Sequence, residues 1–119
     1  TYGPKHPNVA LALNNLADYY HKTGDYAKAE PLLKRSLAIK EKVLGSEHPD
    51  VATTLNNLAE LYRTLGEYAQ AEPLFKRSLA IYEKALGPDH PNVAMSLNNL
   101  ALLYSDLGDY KKAEPLYKR

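Results

Sequence analysis

Apolar residues near the start of the chain recur at intervals of three and four, a spacing that places them on one face of an α-helix. The set consists of Val9, Leu13, Leu16, Ala17 and Tyr20. We therefore predict a helix here whose apolar face turns into a core. The same pattern returns twice further along, at Val51, Leu55, Leu58, Ala59 and Tyr62, and at Val93, Leu97, Leu100, Ala101 and Tyr104.

A second helical pattern follows each of these first helices. In the first copy it covers about residues 26–44, with an inward set of Tyr26, Ala29, Leu33, Leu37 and either Val43 or Leu44. Proline stands at positions 7, 49 and 91, where its missing N–H suits the first position of a helix. Glycine follows the first helices at positions 24, 66 and 108, and it permits the left-handed backbone that ends many helices.

A further proline lies more than one turn inside each second helix, at Pro31, Pro73 and Pro115. Proline removes a backbone hydrogen bond and crowds the preceding turn. We therefore expect a bend or a loosened first turn at these three positions.

The paired helices form one unit that repeats every 42 residues, because Leu-Asn-Asn-Leu-Ala begins at Leu13, Leu55 and Leu97. A single pair cannot bury its apolar stripe, whereas stacked pairs share a continuous core between a concave and a convex surface. The predicted fold is all-α, a superhelix or solenoid of helix-turn-helix repeats across residues 1–119. Its units cover about 7–48, 49–90 and 91–119, and the last is truncated.

The run Asn-Leu-Ala-x-x-Tyr-x-x-x-Gly-Asp-Tyr-x-x-Ala, from Asn15 to Ala29, resembles the tetratricopeptide repeat signature. Ordinary repeats of that family are 34 residues long. The longer period, with His-Pro-x-Val-Ala between pairs, resembles the kinesin light chain type. This resemblance implies a right-handed superhelix whose inner groove holds short, extended peptides. In motor light chains, those peptides carry a tryptophan beside acidic residues.

The resemblance also implies that the first helices line the groove, and Asn15, Asn57 and Asn99 match the family's groove asparagine. A primary amide both donates and accepts, so it can pair with a peptide backbone of any sequence. Alternatively, one asparagine of each adjacent pair braces neighbouring helices through backbone carbonyls. The candidate groove residues are Asn14, Asn15, Asp18, His21, Lys22, Asn56, Asn57, Glu60, Arg63, Asn98, Asn99 and Leu102.

Specificity is expected from groove positions that differ between copies. One such position holds Asp18, Glu60 and Leu102 in successive units, while the core positions hardly change. A groove adapted to a ligand produces this contrast, and so does drift on a solvated face. The groove is mixed in sign, which gives only weak support to an acidic ligand.

Charge and composition exclude several other functions. Lys and Arg number 15 against 14 for Asp and Glu, a net charge of +1 that disfavours nucleic acid or anionic membrane as partner. Cysteine is absent, and no constellation for catalysis, a metal or another cofactor stands out. His6, His48 and His90 are expected to begin helices before proline, and most of the ten tyrosines to lie in the core. We expect a non-catalytic, cytoplasmic protein.

The chain ends midway along a second helix, without the polar cap that repeat arrays usually need. This predicts self-association through uncapped repeat ends. The rival to peptide binding is therefore a structural or self-assembling repeat module, either a fragment of a longer array or an engineered protein.

Overall fold

The structure, a computed structural model, describes residues 7–118, with side chains from residue 9 onward. This part of the chain is all-α, as predicted, and contains six helices and no strand. They are α1 (Pro7–Thr23), α2 (Tyr26–Leu44), α3 (Pro49–Thr64), α4 (Tyr68–Leu86), α5 (Pro91–Asp106) and α6 (Tyr110–Lys118). The predicted bounds of the second helix in the first unit are confirmed.

The histidines before proline cap the helices that follow them. The Nδ1 atom of His48 accepts a hydrogen bond from the backbone N–H of Asp50 at 3.0 Å, and His90 does the same for Asn92 at 3.0 Å. Each bond satisfies one of the free N–H groups at a helix start. The helix-entry role is thus confirmed for these two residues, while His6 lies outside the described residues.

Glycine ends each first helix in the left-handed conformation that the sequence predicts. Gly66 has φ +79°, and the next residue, Glu67, donates its N–H to the carbonyl of Tyr62 at 2.8 Å. A side chain is strained at this φ even though the space around the glycine is open. A connection of two residues after α1, and of three residues after α3 and α5, folds each second helix back beside the first, the arrangement that short loops give in helical bundles.

The second helices continue without interruption through Pro31, Pro73 and Pro115. In the first turn of α2, the N–H groups of Lys28 and Ala29 both donate to the carbonyl of Asp25, at 3.0 and 3.2 Å. The turn before the proline is therefore hydrogen-bonded. A bend at these positions stays a prediction.

The helix pairs stack in chain order, with α3 packed on α2 and α5 packed on α4. One continuous cluster of buried side chains runs through all six helices, and Phe75 and Tyr82 are its largest fully buried members. Two buried serines join the helices within a pair. Ser36 Oγ donates to the carbonyl of Ala10 at 3.1 Å, and Ser78 Oγ donates to the carbonyl of Ala52 at 3.0 Å.

Leu16 departs from the predicted core. It is 43% exposed, whereas its counterparts Leu58 and Leu100 are 3% and 4% exposed. The helices of the counterparts, α3 and α5, each pack on the second helix of the preceding pair, and no described helix precedes α1. Burial at this position therefore depends on a neighbour rather than on the helix that carries it.

Two other predictions concern residues that face the core: one of Val43 and Leu44, and most of the tyrosines. Val43 is exposed and Leu44 is half-buried, so the second of the two predicted alternatives is right. Tyr19, Tyr110 and Tyr117 are exposed, whereas the other described tyrosines are buried or half-buried. The prediction that most tyrosines lie in the core holds for the described part of the chain.

A tyrosine from each later unit contacts a glutamate of the unit before it. The hydroxyl of Tyr104 hydrogen-bonds to Glu72, which lowers the pKa of that carboxyl group. Burial, together with this bond, raises the pKa of Tyr104. Tyr62 interacts with Glu30 in the same way, and its pKa is also raised, chiefly by burial. These contacts tie each first helix to the second helix before it.

Candidate binding groove on the first helices

The first helices α1, α3 and α5 lie side by side and form one surface, which we call the first-helix face. Asn14 Nδ2 on α1 donates to Thr54 Oγ1 on α3 at 3.3 Å. Arg63 Nη1 on α3 donates to Asp106 Oδ2 on α5 at 2.8 Å. All predicted groove residues belong to these three helices.

A pocket of about 200 Å³ opens on this face between α1 and α3. We call it the α1–α3 pocket. Buried Ala17 and Leu33 supply its apolar part. Five predicted groove residues complete the lining: Asn14, Asp18, His21, Asn57 and Glu60. The structure thus brings together predicted residues from two successive units.

Two polar atoms beside this pocket are shielded from solvent and have no hydrogen-bond partner: Asn14 Oδ1 and His21 Nε2. The orientation of the Asn14 amide follows from Thr54. The Thr54 hydroxyl donates its single proton to the carbonyl of Asp50 at 3.3 Å and accepts from Lys40 Nζ at 3.0 Å. It can therefore only accept from Asn14, so the amide presents NH₂ to Thr54 and leaves the Oδ1 atom unpaired.

The equivalent seam between α3 and α5 is bridged by a bond between two asparagines. Asn99 Nδ2 donates to Asn56 Oδ1 at 3.3 Å, and Asn56 is buried. Half-buried Leu102 replaces the acidic residue found in the first two units. Of the two roles considered for the asparagines, bracing applies to Asn56 and Asn99, through a bond between side chains rather than to backbone carbonyls.

The arginine and the lysine among the predicted groove residues are already paired. Arg63 donates to Glu60 at 2.7 and 3.4 Å and to Asp106 at 2.8 Å, and these carboxylates raise the pKa of Arg63, with the Glu60 hydrogen bond contributing most. Lys22 pairs with Asp18 at 3.0 Å. Three carboxylates therefore share two cations, and the local balance is acidic.

Asn15 and Asn98 do not join the α1–α3 pocket. Asn15 is exposed on α1. Asn98 is exposed on α5 and lines a different pocket of about 300 Å³, together with Leu116 and Tyr117 of α6. Sequence reasoning missed Thr54, which orients Asn14. The sequence feature that could have indicated this role is the hydroxyl side chain of Thr54 at a position where the first unit has alanine.

Residues 7–118 contain neither of two further features, a metal-binding cluster and a membrane-spanning helix. No group of three or more histidine, cysteine, aspartate or glutamate side chains there is arranged to hold a metal ion. No helix in that range is long and apolar enough to cross a membrane.

Comparison with protein families identifies two matching models, both described as tetratricopeptide repeat. One matches residues 50–119 and the other residues 9–50. Together they cover most of the chain. Comparison with curated proteins gives no match.

Solved structures resemble this fold over nearly its whole length. BtubC (BKLC) from P. vanneervenii has a TM-score of 0.91 and 28% identity, over 98% of this chain and 46% of that chain. A Podosopora anserina protein assigned as a kinesin light chain, with nearly identical TPR-like repeats, gives 0.84 and 31%, over 98% of this chain and 55% of that one. The chain thus spans about half the length of these two structures.

The TPR domain of Arabidopsis FLU has a TM-score of 0.80 and 17% identity, over 92% of this chain and 88% of that chain. At this identity, the likeness shows a shared fold alone.

Proposed function

Because the chain belongs to the tetratricopeptide repeat family, in its kinesin light chain type, we propose that it is a scaffold that binds a protein or a short, extended peptide on the first-helix face. The family membership supports a protein-interaction role without catalysis. The use of this particular face is the finer part of the proposal. No cofactor takes part in it.

The main support is the convergence of polar side chains from two units on one pocket. Asn14, Asp18 and His21 come from α1, while Asn57 and Glu60 come from α3. Asn57 is exposed, so its amide is free to donate to and accept from a peptide backbone. A pocket that combines an apolar part with a few converging polar groups is the usual form of a binding site.

Binding of an extended random-peptide library to the purified protein tests the proposal. Selected peptides are expected to lose affinity for Asn57→Ala, and their affinity for Arg63→Ala is expected to change, because Arg63 pairs with two carboxylates of this face. Gln70→Ala is the matched control, since it removes an exposed amide from α4 rather than from the first-helix face. Circular dichroism must show that all three variants keep their helices. Peptides that bind all variants equally, or a library without binders, would contradict the proposal.

Self-assembly is the second candidate function, because apolar side chains are exposed at both ends of the described stack. Leu11, Leu16 and Tyr19 are exposed on α1. Tyr117 is exposed on α6, beside the 300 Å³ pocket. Docking of the α1 surface of one copy against α6 of another would continue the array. Light scattering that gives a constant monomer mass from micromolar to millimolar concentration refutes this candidate, while growth in mass without peptide affinity would favour it.

The remaining expectations belong to the same proposal. The partner is a protein or peptide and not a nucleic acid or a membrane, which the net charge of +1 supports. A cytoplasmic location stays a prediction, and microscopy of the fluorescently tagged protein in its own cells tests it.

A further inference from the structure

The unpaired atoms beside the α1–α3 pocket call for an explanation. A shielded polar atom without a partner is unfavourable, and few such atoms remain in native proteins. Here Asn14 Oδ1 and His21 Nε2 both belong to residues that line the same pocket. A ligand that pairs them would recover part of this cost.

The pocket is rich in hydrogen-bond acceptors. Asn14 is held with its oxygen unpaired, because its NH₂ group is bonded to Thr54. The carboxylates of Asp18 and Glu60 only accept, and the Nε2 atom of a neutral histidine accepts when the proton is on Nδ1. The amide of Asn57 is the one lining group with an uncommitted NH₂. A complementary ligand group must therefore donate several hydrogen bonds.

The charge of the lining favours a cation. Asp18 and Glu60 line the pocket, while their partners Lys22 and Arg63 do not. Arg63 also divides its charge between Glu60 and Asp106. A cation placed in the pocket would thus meet carboxylates whose charge is only partly balanced.

We propose that the α1–α3 pocket binds the lysine or arginine side chain of an extended peptide that lies on the first-helix face. A volume of about 200 Å³ accommodates one side chain and not a folded segment. The aliphatic stem packs on Ala17 and Leu33, and the charged end donates to Asn14 and to the two carboxylates. Contact with the shielded oxygen requires a neighbouring side chain to turn, which exposed side chains do within picoseconds to nanoseconds. This inference rests on the proposed peptide-binding function and adds the chemistry of its ligand.

The bond between Asn99 and Asn56 at the seam between α3 and α5 limits the number of basic residues that the first-helix face can bind. There Asn99 already donates to Asn56, and Leu102 replaces the carboxylate. The sequence is periodic, but the first seam carries unpaired acceptors, whereas the matching positions of the second hold a bonded pair of asparagines and a leucine. A ligand that spans both seams is therefore expected to place one basic residue at α1–α3.

The test uses capped tripeptides Ala-Lys-Ala, Ala-norleucine-Ala and Ala-Glu-Ala, titrated into the ¹⁵N-labelled full chain and followed by NMR. The lysine peptide is expected to shift the side-chain amide signals of Asn14 and Asn57, and the other two are not. Equal shifts with norleucine, or no shift with lysine at millimolar concentration, would overturn the inference.

Two variants separate the pocket from general charge. Asp18→Asn is expected to weaken lysine binding about three- to fivefold, the range for a partly exposed ion pair. Asp89→Asn changes the net charge equally in the α4–α5 loop and should leave binding unchanged. Equal weakening by both variants would overturn the inference.

The peptide library then distinguishes the two proposals. Selected peptides that compete for the first-helix face but show no enrichment of lysine or arginine would refute this inference and leave the proposed function intact. Absence of any binding peptide, together with no shift from the lysine tripeptide, would refute both proposals.

Discussion

One leucine position offers a direct test of how neighbouring units stabilise each other. Leu16 and Leu58 occupy equivalent positions of α1 and α3, but Leu16 is 43% exposed and Leu58 is 3% exposed. Replacing each by alanine removes the same atoms from the same helix position. Any difference between the two variants therefore reports the packing supplied by the preceding unit.

The expected magnitudes follow from burial. Leu58→Ala removes a fully buried side chain and leaves a cavity, which costs about 3 kcal/mol. Leu16→Ala removes a side chain that is only partly buried and leaves no enclosed cavity. It therefore loses only part of the free energy of burying apolar surface, and the free energy of unfolding should fall by about 1 kcal/mol. For a domain of about 120 residues, a difference of about 2 kcal/mol separates the melting temperatures by about 8 °C.

Urea denaturation of both variants at several protein concentrations measures this difference. The slopes must stay close to that of the unmodified protein, because repeat arrays can unfold in more than one step. Equal destabilisation by the two substitutions would refute the reasoning. If that equality appeared only at high concentration, a second copy would be covering Leu16.

Four other substitutions test single positions. Gly66→Ala should lower the free energy of unfolding, measured by chemical denaturation, by about 1 kcal/mol, because alanine is strained at positive φ although its Cβ meets no atom. An unchanged free energy of unfolding would contradict this, because it would mean that the turn relaxes to a conformation that alanine tolerates. Ser78→Ala removes the buried hydrogen bond to the carbonyl of Ala52 and should lower the free energy of unfolding by about 1 kcal/mol. Ser96→Ala removes a buried hydroxyl that has no partner and should leave the free energy of unfolding unchanged. Equal losses from the two substitutions would contradict this reasoning. Tyr104→Phe removes the donor that lowers the pKa of Glu72. Its loss of stability relative to the unmodified protein should therefore be full above about pH 4.5 and become smaller at lower pH. Thermal melts across pH 3–7 measure this dependence, and a loss that is constant with pH would contradict the contact.

The helix bounds could be predicted from the sequence because local residues determine them. Proline begins α3 and α5, and glycine with positive φ ends α1, α3 and α5. These signals act within a few residues and recur in each unit. Periodic sequence therefore predicted the element order and the stacking.

The exposure of Leu16 could not be predicted, because all three copies carry the same leucine and burial depends on the adjacent pair. The roles of the asparagines were undetermined for a similar reason. Asn57 and Asn99 are equivalent in sequence, yet Asn99 donates to Asn56 while Asn57 remains exposed beside Asn14. Side-chain orientation across a seam is a property of the stacked pairs, and a single unit does not encode it.

The unequal seams have a mechanical consequence. Between α3 and α5, the Asn99–Asn56 bond and the Arg63–Asp106 ion pair resist separation at two points. Between α1 and α3, the bond from Asn14 to Thr54 is the corresponding link on this face. On the first-helix face, the first seam is therefore held at fewer points than the second, and we expect a small change in curvature to alter the mouth of the pocket more than the seam between α3 and α5.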